Sequence, residues 1–398
     1  MLELKDFEAA AERLKNVIHN IPLSPSATFS AMTGAEVYLK YENQQKTGSF
    51  KVRGAYNKIM KRYAEGDLHA VVASSAGNHA QGVAFAASSV GVKSTIVMPR
   101  STPIAKVSAT QGYGADVVLA GNIYDEAYAK ACEICEETGA EFIHPFDDED
   151  VMAGQGTIAL EILRDLPFVD MIFVPAGGGG LISGVAACAK QINPRIQIIG
   201  VQAEGAPAIA NSFRAGERKP SDTVHTIADG IAVKTPGEKT FEYIQKYVDR
   251  VVTVSDDEIA SAVLLLLERC KQVVETSGAA PLAAVLNNKV DVRGKKVVCV
   301  LSGGNIDVSF IHKIVEKGLI TRCRQLKFSV LMPDAPGALE HFSHIVAQQN
   351  ANIILFQHDR VQTDLEIGEA IIHVVCEVGG VDHAKRLIDT LTDDGYKV

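Results

Sequence analysis

Met171-Ile172-Phe173-Val174-Pro175-Ala176-Gly177-Gly178-Gly179-Gly180-Leu181-Ile182-Ser183-Gly184 passes from an apolar β-rich run, through four consecutive glycines, into a helical pattern. An apolar run without polar alternation is what a parallel strand covered on both faces requires. Glycines between strand and helix expose backbone N–H groups at the positive helix end, an arrangement suited to phosphate. The spacing misses G-x-G-x-x-G, because Ile182 or Ser183 stands where the last glycine belongs, and no G-x-x-x-x-G-K-S/T occurs. Dinucleotide and nucleoside triphosphate readings lose ground accordingly.

The same grammar extends outward. β-rich runs at 71–73, 94–98, 115–119, 196–201 and 297–301 alternate with helical patterns at 77–90, 103–112, 122–139, 152–166, 179–191, 255–271 and 305–316. Strand alternating with helix predicts an α/β fold with parallel sheets. About 320 residues is long for one sheet, which predicts two lobes, the smaller (roughly 50–150) inserted in the larger, with ligands in the crevice beyond the strand C-termini. Near Thr321-Arg322-Cys323-Arg324 the pattern changes. Strands at 325–332, 352–358 and 366–377, helices at 337–349 and from 381, and a last strand near Tyr396 predict a separate α+β unit, βαββαβ. The expected domains are 1–320 and 325–398.

The chain has 398 residues, 47% hydrophobic and 22% charged, with a formal net charge of −9. This excludes a disordered or collagen-like chain, and the acidic balance disfavours nucleic acid or anionic membrane as the partner. No apolar run approaches the ~20 residues of a membrane helix, and the N-terminal MLELKDFEAAAERLKNVI lacks a signal peptide's basic start and apolar core. Seven scattered cysteines predict free thiols in a reducing cytoplasm. Cys132 and Cys135 form C-x-x-C, but inside a helical run with no second pair, so no metal site is expected there. His341 and His344 read as solvated or packed residues, and Asp147-Asp148-Glu149-Asp150 as a loop or helix start.

Three further stretches carry chemistry. In Lys46-Thr47-Gly48-Ser49-Phe50-Lys51-Val52-Arg53-Gly54-Ala55 a lysine follows a Gly-Ser turn and an aromatic and opens a helix. Such a lysine is either a solvated surface residue or one that loses its proton in a cleft and forms a Schiff base. Ser74-Ser75-Ala76-Gly77-Asn78-His79-Ala80-Gln81-Gly82 opens a helix after a strand, as an anion site or a plain turn. Leu301-Ser302-Gly303-Gly304-Asn305 is a fourth strand-to-helix turn.

In this order, SFKVRGA, SSAGNHAQG, PAGGGGLISG and LSGGN resemble the fold-type II pyridoxal phosphate enzymes, in the threonine dehydratase and serine racemase branch, over about residues 5–318. The resemblance implies pyridoxal 5'-phosphate as cofactor, Lys51 as its covalent anchor and catalytic base, and Phe50 against its ring. It further implies Asn78 on the ring oxygen, Gly177, Gly178, Gly179, Gly180 and Leu181 on the phosphate, Glu275 near the ring edge and Ser302 facing the pyridine nitrogen. Ser75, Ala76, Gly77, Asn78 and His79 would line a substrate carboxylate pocket. A neutral hydroxyl at Ser302 stabilises a carbanion poorly, which favours β-elimination over reprotonation. The implied activity is elimination of L-threonine to 2-oxobutanoate and ammonia, with L-serine as a second substrate. A serine racemase and a non-catalytic amino-acid sensor are the alternatives. Glu204 matches the first metal-ligand position of the racemases, but Ala210 stands at the next, so that metal site is not expected, and a monovalent ion near Glu204 stays an open alternative. Asp334-Ala335-Pro336-Gly337-Ala338-Leu339 and Asn350-Ala351-Asn352-Ile353 resemble an ACT regulatory domain. That implies an amino-acid effector near Asp334, Gly337, Ala338, Leu339 and Asn352, and a homodimer or homotetramer.

Overall fold

A computed structural model describes residues 1–66, 68–360 and 365–398. Contacts divide the chain into two units, Met1–Ile306 and Asp307–Val398. The first holds two sheets. Six strands follow the order Ser24–Pro25, Glu36–Tyr41, Lys296–Leu301, Met171–Pro175, Gln197–Ala203 and Arg250–Val254. All neighbours are parallel except the first pair. The second sheet is all parallel: Asp116–Leu119, Lys93–Met98, Ala70–Ser74 and Glu141–Phe142. These four strands lie in sequence between Glu36–Tyr41 and Met171–Pro175, so the smaller sheet is an insertion into the larger.

Val71 and Ala73 point into one apolar core with Ile96, while Val72 joins another with Val97 and Ala131. Alternate residues face opposite sides of a strand, so a strand covered twice is apolar throughout. A third core, including Ile172, Val174, Val185, Ile198 and Val298, packs helices on the large sheet. Asp148 caps helix Glu149–Asp165 by accepting from the Asp150 and Val151 N–H groups, so the acidic run is a helix start. The helix expected over 255–271 begins with a Ser255–Glu258 capping box. Its regular part ends at Leu265, and a π-turn, Leu266–Cys270, closes it with Lys271 at φ 58°.

The second unit opens with helix Val308–Thr321. Strands Gln325–Pro333, Glu369–Glu377 and Asn352–Asp359 form an antiparallel sheet with Glu369–Glu377 in the centre. Helices Ala338–Gln348 and Val381–Asp393 complete it around a core of its own that includes Val330, Phe342, Val374 and Leu387. The strand expected near Tyr396 is only an isolated bridge between Leu331 and Lys397. Gly395, at φ 95°, turns the chain just before that bridge.

Candidate active site

Strands Glu36–Tyr41, Lys296–Leu301 and Met171–Pro175 are parallel neighbours, so the loops after them emerge side by side. The first leads to Lys51, the second is Ser302–Asn305 and the third is the glycine loop. The small sheet contributes residues 75–79, after Ala70–Ser74. Backbone bonds knit the first two loops: Phe50 N donates to Ser302 O at 3.0 Å, Gly304 N to Gly48 O at 2.9 Å, and Ser49 bridges Gly303.

Lys51 begins helix Lys51–Ala64. Its Nζ donates to the Pro145 carbonyl at 2.7 Å and lies 5.3 Å from the centre of the Phe50 ring. Desolvation of the ammonium lowers its pKa to about 8, with the Glu275 charge opposing. Lys51 is thus no ordinary solvated lysine. His79 Nε2–H donates to the Ile143 carbonyl at 2.8 Å. Burial and the nearby Lys51 charge lower the imidazole pKa to about 3, so the ring is neutral. Asn78 opens helix Asn78–Ser89, and its Nδ2 donates to both oxygens of Glu275, at 2.8 and 3.0 Å. Burial pushes the Glu275 carboxyl up to about 7, against the Asn78 hydrogen bond and the Lys106 and Lys51 charges. Ser302 is buried, and the next residue, Gly303, accepts from Glu275 N at 2.9 Å. Ser75, Ala76 and Gly77 are half-buried, and Ser75 Oγ accepts from Gly77 N at 3.2 Å.

Gly179, at φ 102°, takes a conformation that side chains resist, and helix Gly180–Ile192 starts there. A Cβ at Gly178 would sit 2.4 Å from the Phe146 ring. Bare backbone at a helix N-terminus results, with Leu181 buried behind it. The sequence reading missed the segment 143–147, which knits the site together. It accepts from His79 and Lys51, lays Phe146 over the glycine loop, and through Asp147 accepts from Glu238 and Thr240 N–H groups. Its signal is slight, a His-Pro-Phe-Asp run at a strand end. Asn305, at the end of the Leu301–Asn305 turn, also joins the site by donating to the Thr47 carbonyl and to Asn78 Oδ1.

In the second unit, Asp334, Gly337, Ala338 and Leu339 line a cavity of about 390 Å³ with His358 and Arg360. Asn352 is not among its lining residues and donates instead to Glu377 Oε2 at 3.0 Å. Cys132 and Cys135 are free thiols on helix Tyr124–Thr138. His341 pairs with Asp394 at 2.6 Å, and His344 with Gln348. Glu204 lies 3.8 Å from the Lys289 ammonium, which also pairs with Glu258. Among the described residues no group of three or more His, Cys, Asp or Glu could hold a metal, and no helix is long and apolar enough to cross a membrane.

The fold and site define a two-lobed α/β enzyme built around a desolvated lysine and bare glycine backbone at a helix N-terminus. Residues 14–303 match the model of the pyridoxal-phosphate dependent enzymes, and the chain belongs to that family. It is similar to an L-threonine ammonia-lyase of Thermotoga maritima, 50% identical over 100% of this chain and 99% of that one. Among solved structures it resembles the processed form of threonine deaminase isoform 2 from Solanum lycopersicum, at 39% identity, TM-score 0.75 and 79% and 92% coverage of the two chains. It also resembles serine racemase from Dictyostelium discoideum, at 38% identity, TM-score 0.72 and 77% and 99% coverage.

The residues present fit pyridoxal phosphate. Buried Thr47 Oγ1, Ser49 Oγ, Ser74 Oγ and His79 Nδ1 have no partner among the described residues, which is unusual for so many neighbouring polar atoms. The glycine loop would lose its shape with side chains, and Lys51 has lowered basicity.

Proposed function

We propose that the protein is an L-threonine ammonia-lyase that converts L-threonine to 2-oxobutanoate and ammonia, and L-serine to pyruvate and ammonia. The observation that carries this reading is Lys51, a desolvated amine with pKa lowered to about 8, held at the Pro145 carbonyl. The full-length similarity to the Thermotoga maritima ammonia-lyase supports threonine as the substrate.

Lys51 would anchor the cofactor covalently, residues 177–181 would hold its phosphate, Phe50 would pack on its ring, and Asn78, Glu275 and Ser302 would lie about the ring. Bound there, pyridoxal phosphate supplies the electron sink that acidifies the substrate α-C–H. Residues 75–79 bind the substrate carboxylate, largely through N–H groups at the start of helix Asn78–Ser89. The free Lys51 amine, its pKa lowered to about 8 and so about half neutral near pH 8, would take the α-proton. Neutral His79 adds no charge beside it. Ser302, a hydroxyl rather than a carboxylate, favours elimination over reprotonation.

In the second unit, Arg360 Nε lies 2.9 and 3.1 Å from the Asp334 oxygens. An amino acid offers a carboxylate to the one and an ammonium to the other, so this cavity is the effector site of the reading. Pairing of such units implies a homodimer or homotetramer, and the free cysteines fit a cytoplasmic enzyme. The test is Lys51→Ala: 2-oxobutanoate release and the visible absorbance of the bound cofactor should both vanish. Turnover near the wild-type rate would remove Lys51 from its role, and a wild type inert on threonine would remove the activity.

A further inference from the structure

Asn305 Nδ2 donates to two acceptors, the Thr47 carbonyl at 2.8 Å and Asn78 Oδ1 at 2.7 Å. Gly48 gives it room: its φ is 70°, and a Cβ there would sit 2.4 Å from Asn305 Oδ1. A carboxamide turned over keeps its outline, so its orientation is set by its partners. One end of this chain of amides is fixed by covalent identity. A backbone carbonyl only accepts, so Asn305 presents nitrogen to Thr47. The second hydrogen on that nitrogen demands an oxygen from Asn78. Asn78 therefore turns its own nitrogen the other way, toward Glu275.

The far end would not settle the matter alone. Glu275 is buried with its pKa pushed up to about 7; Lys51 and Lys106 favour its carboxylate and Asp229 opposes it. As a carboxylate, Glu275 requires the Asn78 nitrogen. As an acid it carries an O–H that serves the Asn78 oxygen equally well. Near neutrality both orientations of Asn78 are satisfied from that side.

We propose that Asn305 is a positioning residue of the cofactor site, holding Asn78 Oδ1 so that the Asn78 N–H₂ stays turned into the site whatever the protonation of Glu275. The proposal rests on the reading that Asn78 faces the ring of pyridoxal phosphate. A donor there favours an ionised ring oxygen, and a turned-over amide would set an oxygen against it.

The test reads the visible absorbance of the holoenzyme from pH 6 to 8, with cofactor retention as a second measure. The wild-type band should not move. In Asn305→Ala the band should follow one titration, as the acid form of Glu275 falls from roughly 90% to roughly 10% across a unit either side of its midpoint. Adding Glu275→Gln to Asn305→Ala should abolish that titration. Asn305→Asp, which demands the Asn78 nitrogen, should shift the band throughout and lower cofactor retention about tenfold, the worth of one hydrogen bond. A purely structural Asn305 would lower stability and retention without making the band depend on pH. A wild-type band that titrates over this range, or folded variants with the wild-type band at every pH, would overturn the proposal. Should the variants not fold, neutron diffraction from deuterium-exchanged wild-type crystals reads Asn78 directly, and an oxygen facing Glu275 overturns it. A wild type without any cofactor band overturns the proposed function as well, whereas threonine turnover with an unlocked Asn78 overturns only this inference.

Discussion

Racemisation needs a proton donor on each face of the α-carbon, whereas elimination needs a base on one. In the proposed reading Lys51 serves one face. By resemblance, the racemases serve the other with a serine that aligns with Ala76, and a methyl group neither gives nor takes a proton. The neighbouring hydroxyl is engaged within the loop, since Ser75 Oγ accepts from Gly77 N at 3.2 Å. L-serine and L-threonine should therefore yield 2-oxo acids with little or no D-amino acid. Ala76→Ser should bring measurable D-serine, because a hydroxyl then reaches the open face. Chiral chromatography decides both points, and wild-type D-serine forming as fast as pyruvate would move the reading to a racemase.

The helix that carries Lys51 is held by charge as well as by packing. Arg53, fully buried, donates to Glu42 twice at 2.8 Å, to Glu161 at 2.6 and 2.9 Å, and to Thr157 at 3.0 Å. Buried Lys40 reaches Glu161 at 2.5 Å. Two cations thus balance two anions between this helix, Glu149–Asp165 and the end of strand Glu36–Tyr41. Gly154 lets the two helices touch, since a Cβ there would lie 2.3 Å from the Arg53 carbonyl. Taking one charge from such a set strands its partner and costs about 3–5 kcal/mol, whereas removing a matched pair costs far less. Arg53→Met should lose about that much in urea unfolding, and Arg53→Met with Glu42→Met should regain most of it, since Lys40 still pairs with Glu161. A double variant no more stable than the single one would mean that packing, not charge, is what Arg53 supplies. None of this shows in the sequence, where Arg53 and Glu42 look like solvated charges. What was legible was local: strand–helix alternation, and four loops whose residue types announce backbone exposure. What was not legible joins distant segments. Lys51 meets Pro145 across 94 positions and Asn305 meets Thr47 across 258, with no periodicity to betray either. Helix Thr276–Leu286 escaped notice because it is buried and apolar on nearly all sides, so it has no polar face to mark a helical period.

At the scale of the molecule, each unit has apolar cores of its own among the described residues. Those of the first unit draw their buried residues from Leu2 to Val300, and that of the second from Val330 to Leu391. Each unit therefore keeps its main hydrophobic stabilisation if the other is removed. The racemase from Dictyostelium discoideum points the same way, since 99% of its chain is matched by 77% of this one. The contact division after Ile306 also says where to cut. Stopping at 324 would keep helix Val308–Thr321 without the strand Gln325–Pro333 it packs on, whereas stopping at 306 removes the second unit whole and retains Asn305. An effector controls an enzyme only if it binds two states with different affinity, and the coupling vanishes with the site that binds it. A chain ending at 306 should therefore fold, bind pyridoxal phosphate and eliminate threonine, but no longer respond to isoleucine, valine, threonine or serine added as effectors. In the intact chain, Arg360→Ala should blunt the same response, because it removes the cation that would meet an amino acid's carboxylate opposite Asp334. Initial rates of 2-oxobutanoate formation, with each amino acid titrated into intact, truncated and Arg360→Ala proteins, give the comparison. Equal responses in intact and truncated chains would place control in the first unit and leave the cavity at Asp334 without a regulatory part.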